Sequence, residues 1–248
     1  MVNDFLFAQE RRFWFNGQCS ADFGIMASGP CTYDAPEWDV EKISIPGRHG
    51  DMILRNGRLK NLPIQYPVSI ARNFPEHALA AKAWLLSDHG YHRLTDSYNP
   101  EYFRLASFLG PIDFDVKFLN RAGETELSFD CKPQLFLKSG ETPLAIASSG
   151  TALRNPCAFP TQPLVTVYGA GDGSLTVGGV TVELFGLDGE ISLDCEDMEA
   201  YRLVAGVMVS RNKNISAPEF PVLQPGPNEV TWAGGVERVE IIPRWWTL

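Results

Sequence analysis

Leu175-Thr176-Val177-Gly178-Gly179-Val180-Thr181-Val182 alternates apolar and polar side chains on both sides of a Gly-Gly pair. Two glycines supply the positive-φ residues of a tight two-residue turn, and the flanking alternation suits strands with one dry face and one wet face. This spacing sets Val177 opposite Val180 and Leu175 opposite Val182 in a β-hairpin. Outward from it, short alternating runs at 164–168, 191–194, 228–232 and 236–242 follow at close spacing, as in a β-sandwich. Residues 197–203 read as a strand in that context. Gly169-Ala170-Gly171-Asp172-Gly173 reads as a turn. A phosphate-cradling loop would open a helix, and a strand follows this one.

The first half carries a second hairpin. Phe114, Val116 and Phe118 alternate with Asp113, Asp115 and Lys117; after Asn120-Arg121-Ala122-Gly123, Thr125, Leu127, Phe129 and Cys131 alternate with Glu126, Ser128 and Asp130. Ile64, Tyr66, Val68 and Ile70 form another apolar face. Pro63 and Pro67 put two missing N–H groups along one side of that strand, which reads it as an edge strand. One helix is predicted between Asn73-Phe74-Pro75 and Gly90, with Leu79, Ala83 and Leu86 at i, i+4, i+7 as its covered stripe. So few of its residues are charged that most of its circumference should be covered. The fold class is mainly β: two sandwich-like domains, 1–134 with the helix and long hairpin, and 135–248. Lys138-Ser139-Gly140-Glu141-Thr142-Pro143 and Ser148-Ser149-Gly150-Thr151 read as loop or linker after the boundary.

Composition narrows the function. Apolar residues are 44% and charged residues 21% of the 248, so a packed core is available and wholesale disorder is excluded. The formal net charge is −9. Tight sequence-independent nucleic-acid binding runs on clustered Lys and Arg, and these thin out from 14 in residues 1–133 to 7 in residues 134–248. No apolar run spans a membrane, and the start, with Asp4, is unlike a signal peptide. Cys19, Cys31, Cys131, Cys157 and Cys195 are an odd number without a C-x-x-C pair. They read as small buried hydrophobes in a reducing compartment, with no disulfide scaffold or zinc site.

No catalytic constellation stands out. G-x-S-x-G is absent, and His89 and His92 lack the partners a metal site requires, so they read as a surface turn. Asp194, Glu196, Asp197 and Glu199 lack the spacing of an EF-hand loop and read as a solvated rim. A glycosidase-type carboxylate pair is set by spatial separation and has no sequence spacing to find. The polar loop Pro46-Gly47-Arg48-His49-Gly50-Asp51, with Arg58, marks Arg48, His49, Asp51 and Arg58 as a structured loop or subunit contact. Trp232, Trp245 and Trp246 are candidates for an aromatic surface or interface.

The order of several short motifs resembles the siphophage distal tail protein (siphovirus tail component) family. In the first half these are Phe15-Asn-Gly-Gln-Cys-Ser20, Asp22-Phe-Gly-Ile25, Pro46-Gly-Arg-His-Gly-Asp51, Gly57-Arg58, Trp84-Leu85, Leu94-Thr-Asp-Ser-Tyr-Asn-Pro100 and Cys131-Lys-Pro133. In the second they are Asn155-Pro156, Pro163-Leu-Val-Thr-Val-Tyr-Gly169, Leu193-Asp-Cys-Glu196, Phe220-Pro-Val-Leu-Gln-Pro-Gly226, Asn228 and Ile242-Pro-Arg-Trp-Trp-Thr-Leu248. His49 departs from the polar residue the family often has there.

The resemblance implies an N-terminal β domain that closes into a ring, usually a homo-hexamer, and a C-terminal galectin-like or carbohydrate-module-like sandwich facing outward. It implies a structural, non-enzymatic virion part at the tail tip, assembled in the bacterial host cytoplasm and needing no cofactor. Its partners would be copies of itself, the tail tube protein, the tail-tip hub protein and a receptor-binding or baseplate protein. DNA would pass through without specific binding, and no membrane would be engaged. The alternative is a carbohydrate-binding module for host cell-wall sugars, which needs a row of exposed aromatics such as Trp232, Trp245 and Trp246.

Overall fold

The computed structural model describes residues 11–29 and 34–248. Cys31 and the first ten residues, on which the leader reading rests, lie outside them. Two compact units divide the chain, one running to Leu135 and including Leu248, the other Phe136–Thr247. None of the described helices is long and apolar enough to cross a membrane.

The first unit is built from β1 (Phe13–Phe15), β2 (Gln18–Cys19), β3 (Ile25–Ala27), β4 (Trp38–Ile43), β5 (Met52–Leu59) and β6 (Leu62–Ile70). Then come α1 (Phe74–Leu85), β7 (His92–Asp96), β8 (Tyr102–Ser107), β9 (Asp115–Lys117) and β10 (Ala122–Cys131). Its main sheet runs β2-β1-β7-β8-β10-β6-β3. β6 and β10 pair from Leu62↔Cys131 to Ile70↔Gly123. The alternation read from sequence is kept: Leu62, Ile64, Tyr66, Val68 and Ile70 are buried, opposite buried Leu127, Phe129 and Cys131. The proline side of β6 is an edge only over part of its length, because β3 covers Val68–Ile70. Pro67 turns its carbonyl to that side, where the Ser28 N–H reaches it at 2.8 Å. The missing proline N–H groups therefore face away from β10 and cost no ladder bond with it.

Two first-half expectations are corrected. In α1 the covered residues are Phe74, Ala78, Ala81, Trp84 and Leu85, whereas Leu79 is 69% exposed and Ala83 and Leu86 face outward. Apolar residues occupy both sides of this helix, so periodicity alone does not choose between them. Ala78 and Ala81 allow close approach to the sheet, and Trp84 then fills the space. Its ring stacks on Phe23 at 4.3 Å, and its Nε1–H donates to the Phe15 carbonyl. In the β9–β10 hairpin, Lys117 pairs with Ala122, so Phe118 lies in the turn and not on the dry face. Phe118, Leu119 and Asn120 all have positive φ, and the first two are exposed.

β11 (Leu135–Leu137) lies at the unit boundary. The second unit contains β12 (Leu144–Ile146), β13 (Thr151–Asn155), β14 (Leu164–Val177), β15 (Val180–Asp194), β16 (Glu199–Val204), β17 (Val207–Ser210), β18 (Ile215–Ser216), β19 (Gly226–Ile242) and β20 (Trp246–Thr247). The sheet order is β12-β19-β14-β15-β16-β17, with β13 also on β19 and β18 on β15. Val177↔Val180 and Leu175↔Val182 pair as the sequence requires, across Gly178 and Gly179 at positive φ. The reading of 197–203 as a strand holds from Glu199 onward in β16, while Asp197 and Met198 lie in the turn before it.

Gly169–Gly173 is not a turn. It is a bulge inside β14, where pairing shifts register against both β15 and β19. The runs 228–232 and 236–242 are likewise two halves of β19, joined through Ala233-Gly234-Gly235. The reason is steric: a Cβ on Gly169 would overlap the Gly235 carbonyl oxygen, and one on Gly235 would overlap that of Ala170. Glycines let the two backbones touch, and the bulge re-aims the strand without ending it. Val165 and Val167 before the bulge and Leu175 and Val177 after it enter one core with Val182, Leu184, Leu193, Leu223, Val230, Val239 and Ile241. The two stretches read as loop are non-strand up to residue 150, Lys138–Glu141 as a 3-10 turn and 148–150 as a turn into β13, with β12 paired to β19 between them.

Candidate functional site

β4 and β5 pair only with each other among the described residues. They form a ribbon of the first unit in which no side chain is buried. Trp38 is 61% exposed and Ile53 55%, with Ile43, Met52 and Leu54 also open to solvent. Pairing places Ile43 opposite Met52 and Glu41 opposite Leu54 on one face, and Lys42 opposite Ile53 and Val40 opposite Arg55 on the other. An isolated two-stranded hairpin is marginally stable, and exposed apolar side chains on it favour being covered by another surface.

All four polar residues singled out in sequence lie on this ribbon, but they do not form one loop. Arg48, His49 and Asp51 sit in its exposed tip, where the Arg48 N–H bonds the Ile45 carbonyl at 3.1 Å. Arg58 stands at the root, six residues beyond Met52, which is about 20 Å along a strand. Its Nε donates to Asp39 Oδ2 across the ribbon at 2.8 Å, and that bond holds the Asp39 carboxyl below the usual range. Sequence reasoning missed the apolar members Trp38, Met52, Ile53 and Leu54. The available signal was an apolar-rich stretch without the strict alternation of a half-buried strand.

The three tryptophans do not form an exposed row. Trp245 is buried in the second core, and Trp232 packs partly against it. Trp246 stacks on Phe159 at 4.6 Å, with its Nε1–H donated to the Pro160 carbonyl. In the acidic cluster one residue is corrected: Asp194 is buried, whereas Glu196, Asp197 and Glu199 are exposed as a rim. The Asp194 oxygens meet the two terminal nitrogens of Arg244, and one of them also accepts the Glu196 and Asp197 N–H groups. His92 begins β7 and packs edge-on against Phe15, so it is not in a surface turn; His89 is exposed. No group of three His, Cys, Asp or Glu among the described residues is placed to hold a metal. Burial pushes the Cys131 and Cys195 thiols up to about 12, as inert core residues. Cys19 and Cys157 are only partly buried.

The chain superposes end to end on a solved phage protein, the Dit protein of phage SPP1. The TM-score is 0.72 at 14% identity, covering 96% of this chain and 99% of the other. The fold is that of the SPP1 Dit protein. That protein is described as a paradigm of the hub adsorption apparatus of phages that infect Gram-positive bacteria. Chains of the phage p2 baseplate in its activated conformation, with strontium or with calcium, match at TM-scores of 0.55 and 0.53. Each is 7% identical and covers 93% of this chain and 96% of the other. No family model and no curated protein matches the sequence. At these identities the likeness is one of fold, spanning both units in the same order.

Proposed function

We propose that this chain is a non-enzymatic structural hub of a bacteriophage tail tip, a distal tail protein whose first domain closes into a homo-hexameric ring. The observation that carries the reading is the near-complete coverage of the SPP1 hub protein by this chain. A ring forms when a head-to-tail contact repeats and its rotation closes, so each copy presents two unlike patches. The β4–β5 ribbon, with Arg48, His49 and Asp51 at its tip and Arg58 at its root, is the proposed donor patch, received by the next copy. The ring joins the tail tube protein to the tail-tip hub protein, and the second, galectin-like domain faces outward toward a receptor-binding or baseplate protein. Six copies carry 6 × −9 = −54 formal charges. That field opposes phosphate binding and lets DNA pass through the centre without being held.

Native mass measurement of the purified chain, alone and with the tube and hub proteins, tests this reading. A six-copy species in either condition supports it. A strict monomer in both conditions that binds cell-wall sugars on a glycan array would replace it with the carbohydrate-module alternative.

A further inference from the structure

The second unit carries an apolar projection of its own. β16 leaves β15 after Tyr201, so residues 202–209 continue as a free hairpin around Ala205-Gly206. Leu203, Val204, Val207 and Met208 are all exposed, Val207 by 65% and Met208 by 58%, and Val209 is open as well. Both faces of the projection are therefore apolar. β17 is the outermost strand of the sheet among the described residues; it is short, four residues, but carries no proline, no lysine and no bulge. In the register Val204↔Val207, Val207 and Val209 bond β16. The Arg211 N–H likewise reaches the Ala200 carbonyl at 2.7 Å. The Met208 and Ser210 backbone groups alternate with these and point outward.

The segment that forms this edge carries charge of one sign, although Asp188 and Glu190 of β15 lie near Arg202 and Arg211. Residues 200–218 hold Arg202, Arg211 and Lys213 and no acid, in a half-chain of 7 basic and 13 acidic residues. Arg202 is engaged by Asp188, but neither Arg211 nor Lys213 forms an ion pair among the described residues. We infer that the β17 edge docks an extended strand of a partner protein, with alternating apolar side chains and acidic residues at its ends. Such a strand completes the open ladder, covers Val207, Met208 and Val209, and neutralises Arg211 and Lys213. A second copy's projection cannot supply the acids. Lipid cannot satisfy the outward N–H and C=O groups of an open strand edge. The inference is independent of the ring, whose proposed contact lies on the first unit.

A display library of random decapeptides, selected against the full-length chain, tests it. Selection should enrich alternating Val, Ile, Leu or Phe with terminal Asp or Glu. In anisotropy titrations, Met208→Pro should weaken the selected peptide about tenfold or more, while Met208→Ala stays within about threefold, because only proline removes the outward N–H. Should the proline variant not fold, Lys213→Glu at an exposed position, combined with Arg211→Gln at a half-buried one, is expected to give a similar loss. Peptides without the pattern, or binding unchanged in these variants, would overturn the inference. So would a dimer broken by the Met208 substitution, or uptake by phosphatidylglycerol vesicles that depends on Met208.

Discussion

Arg244 clasps Asp194 with two N–O contacts of 2.7 Å, one to each carboxylate oxygen, tying the chain beyond β19 to the end of β15. Arg244 holds a positive φ of 54° while its N–H bonds the Gly140 carbonyl. The guanidinium is the main cause holding the Asp194 carboxyl below the usual range. Asp194→Asn removes both charge-assisted bonds and leaves Arg244 only the more exposed Glu196 carboxylate at 3.5 Å, so it should destabilise the second unit by about 2 kcal/mol. A depressed carboxyl contributes its stability in full above the unfolded value of about 3.9, and that contribution is lost as pH falls through the folded value. The gap in thermal midpoint between wild type and Asp194→Asn should therefore be constant from about pH 6 to 5 and close below about pH 4.

Where Gly169 of β14 meets Gly235 of β19 there is no room for a Cβ on either residue. Gly235→Ala drives a methyl group into the Ala170 carbonyl oxygen, and backbone on both sides has to move. A cost of roughly 3 kcal/mol is expected. Gly171 lies in the same bulge at φ +82° with open space around it, so Gly171→Ala costs only the left-handed conformation, about 1–2 kcal/mol. Denaturant midpoints for the two variants give the comparison, and equal losses would contradict the close-approach account.

This bulge also marks where sequence reading stops. Val177-Gly178-Gly179-Val180 has one low-energy solution, a two-residue hairpin, and its register was legible. Gly169–Gly173 has two, a reversal or a bulge in a through-going strand, and the choice is made by β19 lying alongside, which no local pattern encodes. The helix behaves the same way: its place was legible, but its buried face depended on what Trp84 meets. Asp194 and Arg244 are fifty residues apart, so their pairing left no local trace. The ribbon was found through its polar residues, while its apolar side chains were hidden by the assumption that strands alternate around a core.

The two sides of α1 give a direct check of the corrected face. Trp84→Ala removes a buried ring stacked on Phe23 and Phe13 and should cost about 3–5 kcal/mol. Leu79→Lys and Leu86→Lys lie on the exposed side and should stay within about 0.5 kcal/mol. Chemical denaturation separates the two faces, and a large loss at Leu79 would restore the stripe first read from sequence.

Leu54→Asp distinguishes assembly from folding. Leu54 stands on the more apolar face of the ribbon beside Ile43 and Met52, and belongs to neither hydrophobic core. Its replacement should leave the thermal midpoint of the isolated chain nearly unchanged, within about 0.5 kcal/mol. In the ring the same side chain is proposed to lie against the next copy, where a carboxylate would be desolvated without a partner. Native mass spectra should then show wild-type chain closing into the six-copy species, alone or on its tail partners, and Leu54→Asp remaining monomeric under the same conditions. A monomer with an unchanged melting curve assigns the ribbon to the contact between copies. A variant that still closes into a ring takes the ribbon out of that contact and leaves the fold correspondence untouched.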